Sequence, residues 1–263
     1  MALARFRFRP NTPAIVVALL LVPGLFFKSA YEESLDQMHQ TLKYGSVRNY
    51  MALEMRQKFP QYIFIAVLSG FRGTVADLLW ISAHTDWQNR LWYRMEEKMD
   101  LVTLLQPQSI HFWVTSAWHK AWNFSYAASV DPEEPRAAVR FRNQKIWIER
   151  GRKTLEEGIR NNPNSARLYE EMGRLLKEKE MKYAEAARFY GKAASFPGAP
   201  LYLARQEAYC YYEAGRYPEA YRMMAHLWRG NPAHHVLTLR TRIRELEERL
   251  GIPPEKRIFP NPP

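Results

Sequence analysis

The chain has 263 residues, enough for one sizeable domain plus an extension. With 47% hydrophobic residues and a mean hydropathy of −0.45, it is too polar to be mostly embedded in lipid. The single cysteine, Cys210, excludes an intrachain disulfide and the common structural zinc cages, and the net charge of +11, thinly spread, reads mainly as a solvated surface.

At the N-terminus, residues 14–27 carry no charge, and the uncharged run extends back to Pro10. That is slightly short of the ~20 residues a spanning helix needs, and Pro23-Gly24 interrupts its outer end. Arg5, Arg7 and Arg9 precede the run. Residues 1–30 are therefore expected to form a retained single-pass membrane anchor. Its N-terminus would be cytoplasmic and the rest of the chain would lie on the periplasmic or extracytoplasmic side. A cleaved signal peptide is the competing reading. A cut after Ala30 would put Lys28 at the −3 position, and a cut after Gly24 would expose Leu25-Phe26-Phe27. Residues 31–69 read as a helical stalk or linker, with the apolar stretch 60–70 opening the folded domain as a core helix.

From Phe71 to Gly251 one helix follows another, punctuated by Gln106-Pro107, Asp131-Pro132, Asn162-Pro163, Phe196-Pro197 and Asn231-Pro232. Counting back from four of these prolines uncovers a pattern. Met95, Met99 and Val102 precede Pro107; Gly151, Leu155 and Gly158 precede Pro163; Ala220, Met224 and Leu227 precede Pro232. The steps are four, three and then five to the proline. Ala186, Tyr190 and Ala193 repeat this before Pro197 with the last step shortened by one. Such spacing stacks residues on one helical face. Twelve or thirteen residues upstream lies a second small residue: Ala83 before Met95, Gly173 before Ala186, Ala208 before Ala220. In the unit ending at Pro163 the matching residue is Ala117, separated from Gly151 by an extra 22 residues, an insertion near 126–147 read as a loop leading into a helix. Small residues at these sites let two antiparallel helices approach closely.

Residues 166–197 and 201–232 resemble tetratricopeptide repeats. Tyr169, Met172, Gly173, Ala186, Tyr190 and Ala193 match the family's pattern in the first, although Leu176 stands where tyrosine is usual. Ala208, Tyr211, Gly215, Ala220 and Pro232 match in the second. Prolines 163, 197 and 232 keep the family's period. Two earlier units, 76–107 and 110–163, are degenerate, with Asp86 and Lys120 at the tyrosine position of the first helix. The segment 70–126, with GFRGTVADLLW and AWHKAWN, also resembles membrane-anchored bacterial repeat proteins. The resemblance implies an all-α solenoid of helix pairs: degenerate pairs over 70–163, repeats over 164–233, and a capping helix over 234–251. In that helix Val236, Leu239, Ile243, Leu246 and Leu250 form the apolar stripe, opposite Arg244–Glu248 and Glu245–Arg249 pairs. The proline-rich tail 252–263 is expected to be extended or disordered.

Residues 80–126 are dense in aromatics. Core packing is one reading and a partner-binding face the other. Trp87, Trp92, Trp118 and Trp122, with Arg90, sit among polar neighbours and are the candidate binding residues. No ordered basic stripe supports nucleic acid. His84, Asp86, His111 and His119 are the residues an enzyme would have to use, yet they share no metal motif, and no phosphate-binding loop or nucleophile elbow is present. The acidic group Asp131, Glu133 and Glu134 falls in a proline-interrupted loop and reads as solvated surface. The expected function is therefore a non-enzymatic, cofactor-free adaptor that binds protein partners, with assembly of a membrane or secretion complex as its setting. A permanently bound structural subunit of a larger membrane complex is the alternative.

Overall fold

The computed structural model describes residues 70–260, and among these every regular element is helical. The first pair is α1 (Arg72–Gln88) and α2 (Trp92–Leu105). The second begins with α3 (Ile110–Trp118), which continues through a π-helical segment (His119–Phe124) into α4 (Ser125–Ser129), and is completed by α5 (Ala137–Asn161). The third is α6 (Ala166–Glu178) with α7 (Tyr183–Ala194) and the fourth α8 (Tyr202–Glu213) with α9 (Tyr217–Gly230). A last helix, α10 (Leu237–Arg249), follows. Each helix packs on its sequence neighbours, so the chain stacks pair on pair.

Close approach within the pairs is set by the small residues. Ala83, Ala117, Ala186, Ala208 and Ala220 are all at most 1% exposed, and Gly151 and Gly173 are buried. At Gly151 a Cβ would stand 2.7 Å from the Ala121 Cβ and 2.9 Å from the Ala117 carbonyl oxygen, so α5 meets the α3–π helix almost backbone to backbone. At Gly173 the Tyr190 ring fills the same space, 3.1 Å away. The turns between paired helices repeat as well. Gly215, at φ 73°, closes α8: its N–H donates to the Tyr212 carbonyl and that of Arg216 to Tyr211. Arg90, at φ 58°, closes α1 in the same way, with Arg90 N–H donating to Trp87 and Leu91 N–H to Asp86. Arginine thus occupies a left-handed position that favours glycine.

In the second pair the insertion holds the expected loop leading into a helix, but most of its 22 extra residues lengthen the two helices, since α4 carries the first helix to Ser129 and α5 begins at Ala137. Only residues 130–136 are non-helical, and the acids there fold the loop on itself. Asp131 accepts the Glu133 N–H, and Glu134 accepts the Arg136 N–H and guanidinium, which hold its carboxyl down at about 2.

At the far end Leu239, Ile243 and Leu246 are fully buried against Ala208, Ala220 and Met224, with Val236 and Leu250 packed beside them. The polar face differs from the expected i,i+4 pairing. Arg244 lies over Phe259 and Arg249 over Tyr217, while Glu245 accepts from Arg242 and from the Tyr212 hydroxyl. The tail is also held, contrary to expectation, as far as residue 260. Glu247, 1% exposed, accepts the backbone N–H groups of Ile258 and Phe259 and the Tyr221 hydroxyl. Phe259 packs edge-on against Trp228 at 4.9 Å. The residues expected to form the anchor and stalk, 1–69, lie outside the described residues, as do 261–263. No helix among the described residues is long and apolar enough to cross a membrane.

Candidate protein-binding face

Trp80, His84 and Trp87 recur at steps of four and three on α1, and His111 and Trp118 lie seven apart on α3, so each helix turns one aromatic edge the same way. The two edges meet. Trp80 stands 5.7 Å from His111 and 4.9 Å from Phe112, and His119 is touched by Trp87 at 6.3 Å and by Trp118 at 5.0 Å. His84 completes the row at 5.5 Å from Trp87. Trp87 and Trp118 remain 39% and 38% exposed, although both belong to this packed row. Burial, then the neighbouring His84, pushes His119 down to about 4, so its ring is neutral at ordinary pH.

The π-helical turn positions these groups. It adds a residue to the middle of the helix; here His119 joins the aromatic row while Lys120 points the other way, 3% exposed. Lys120 Nζ lies 2.6 Å from Asp100, 2.9 Å from the Thr154 hydroxyl and 3.8 Å from Glu96. Glu96 is also paired with Arg150. On α1, Asp86 turns inward beside Trp87, meeting Lys98 at 2.6 Å and Arg94 at 3.6 Å, and Lys98 reaches Ser82 at 2.6 Å. A buried ionic layer therefore backs the aromatic row and ties α1, α2, α5 and the π turn together. Acids crowd one another at one point of it: Glu97 is pushed up to about 7 by burial and by the nearby Glu96 and Asp100.

The described chain is a tetratricopeptide-like solenoid. The pairing of helices around buried small residues makes it so. No protein-family model and no curated protein matches the chain. Among solved structures it is similar to a thermophilic tetratricopeptide protein of Thermus thermophilus, at 18% identity and a TM-score of 0.42, over 76% of this chain and 98% of that one.

Within this solenoid the predicted residues separate. Trp87 and Trp118 share the exposed row. Trp122, half-buried, lies beyond it under two cations from the third pair, Arg174 at 4.8 Å and Lys179 at 5.2 Å. These cations were not foreseen from the sequence. Trp92 does not join the row; it packs on Phe124 at 5.3 Å within the core of the first two pairs. Arg90 is exposed and closes the α1 turn. The four residues an enzyme would need are divided. His84, His111 and His119 line the row, but the Asp86 carboxylate is committed to Lys98 and Arg94 behind it. No group of three potential metal ligands occurs among the described residues. Cys210 is fully buried, and burial raises its thiol to about 11, which keeps it protonated.

Further cations lie in the third and fourth pairs. Lys177, one turn after Arg174, donates to the Gln206 amide oxygen, and Arg205 faces the His234 ring at 3.2 Å. Lys177, Lys179 and Arg205 thus have an amide, an indole and an imidazole as close partners rather than carboxylates.

Proposed function

We propose that this chain is a membrane-tethered adaptor whose first-helix face, centred on Trp87 and Trp118, receives a partner segment with apolar or aromatic anchors. One observation carries the reading: two tryptophans stay well exposed on a row otherwise locked by ring contacts and backed by buried ion pairs. An exposed, pre-positioned indole loses little conformational freedom on binding, which is why such residues dominate interface energies. The cations at Lys177, Lys179 and Arg205 would set the register of the bound segment and favour an acidic one. Tethering rests on the uncharged run 10–27 and the three arginines before it.

A photo-crosslinking residue placed at Thr115, on the same helix as Trp118, tests the binding face in the full chain in native membranes. Discrete adducts are expected, and they should disappear in the Trp87→Ala/Trp118→Ala chain while its unfolding midpoint stays within a few degrees of wild type. Adducts that persist unchanged in that chain would refute the assignment. Carbonate extraction tests the tether separately, by whether the chain stays with the membrane.

A further inference from the structure

The helices added to the second pair are longer than the solenoid requires, and the exposed side of α5 changes character along its length. From Glu149 onward its charges neutralise one another. Arg152 pairs with Glu149, Glu156 and Glu180, Lys153 with Glu149, and Arg160 with Glu157. Before Glu149 the helix has Arg140, Arg142 and Lys145 and no acid. Phe141, Arg142, Lys145 and Ile146 fall on one side of that first half, all exposed. Phe141 is 59% and Ile146 37% exposed, and the Lys145 ammonium sits 5.2 Å above the Phe141 ring. Tyr126 and Val130 of the adjoining α4 and loop are exposed too. Among the described residues no ion pair joins the loop acids to Arg142 or Lys145: Glu134 is taken by Arg136, and Asp131 and Glu133 keep their charges in the loop ahead of the helix.

We infer that the first half of α5 docks on an anionic phospholipid surface. Unneutralised cations beside exposed apolar rings suit a headgroup layer, where the cations meet phosphates and the rings enter the acyl boundary. A protein partner would need roughly 800 Å² of complementary surface on its side, whereas this is a convex helix edge with a few side chains standing out. The inference does not depend on the N-terminal tether or on the aromatic row, because it concerns a second contact made by different residues.

The test uses the full chain with an environment-sensitive nitrobenzoxadiazole fluorophore on Phe141→Cys. Cys210 is fully buried and should stay unlabelled. A control chain carries the label on Leu237→Cys, 78% exposed at the other end of the solenoid. Each is reconstituted with vesicles of phosphatidylcholine alone or of phosphatidylcholine and phosphatidylglycerol at about 7:3, a strongly anionic surface. The label at 141 is expected to shift to the blue only with phosphatidylglycerol, and the label at 237 with neither. Arg142→Gln/Lys145→Gln should weaken the lipid dependence roughly 30-fold, about tenfold for each 1.4 kcal/mol at about 1 kcal/mol per basic residue. An equal shift on both vesicle types, no shift on either, or a shift in native membranes but not in protein-free phosphatidylglycerol vesicles would overturn the inference. The last result would assign the surface to a protein. Loss of the chain from phosphatidylcholine vesicles on carbonate washing would count against the tether alone.

Discussion

Glu97 gives the sharpest test of the ionic layer behind the aromatic row. Its carboxyl is moved from an ordinary 4.5 to about 7 by partial burial and by the nearby Glu96 and Asp100, with Arg94 opposing them. Between those two values the folded chain holds this proton and the unfolded chain does not. Stability must therefore fall as pH rises through that window and stay lowered above it. At about 1.4 kcal/mol per tenfold change in proton concentration, ionised Glu97 costs the fold about 3 kcal/mol at pH 8 and under about 1 kcal/mol at pH 5. Replacing it with glutamine, which is neutral at every pH and similar in shape, should remove that cost. Glu97→Gln is expected to stabilise the chain by about 3 kcal/mol at pH 8, a rise of roughly 6–12 °C in midpoint for a unit of this size, and to be close to neutral at pH 5. Urea unfolding of both chains at the two pH values measures it. The variant-minus-wild-type difference isolates Glu97 from His119, whose depressed value acts oppositely: stability contributed there is lost as pH falls from 6.5 toward 4. A Glu97→Gln chain that gains equally at both pH values, or loses stability at pH 8, would refute the reasoning.

Other outcomes follow from single contacts. Gly151→Ala places a methyl group 2.7 Å from the Ala121 Cβ and must push α5 off the π turn; a loss of about 1–3 kcal/mol in urea unfolding is expected. Arg90→Gly relieves a left-handed arginine and should raise stability by about 1 kcal/mol, with unchanged helical circular dichroism. Phe259→Ala removes the ring covering Trp228 and should cost about 3 kcal/mol, with a red shift in tryptophan emission as that indole meets water.

The parts of this molecule that were legible in the sequence are those that local geometry dictates. Two helices crossing at close range demand small side chains at a fixed separation, so Gly173 and Ala186, or Ala208 and Ala220, betray the pairing without any knowledge of partners, and Ala83 keeps the same spacing to Met95. Ala117 and Gly151 do the same across an insertion. Asp86 and Lys120 stood out only as departures from the pattern. What neutralises them comes from Arg94, Lys98, Glu96, Asp100 and Thr154 on other helices, an arrangement that exists only after folding. The π turn was invisible for a related reason: a one-residue insertion leaves the apolar spacing on either side intact. Trp92 was misplaced because polar neighbours in sequence do not say which side of a helix meets the core. Composition alone misjudged the tail, where five prolines outweighed Ile258 and Phe259, the two apolar residues able to fasten it.

That fastened tail has a consequence for the solenoid as a whole. Helix pairs of this kind present a sticky end after every unit, and nothing in the pairing itself limits their number. Here Phe259 lies across Trp228 under the guanidinium groups of Arg240 and Arg244, and Glu247 grips the backbone beside it, so the edge beyond the fourth pair is already taken. The tail acts as part of an end-stop: it takes up the apolar edge around Trp228, and what the last helix still turns outward is polar apart from Leu237.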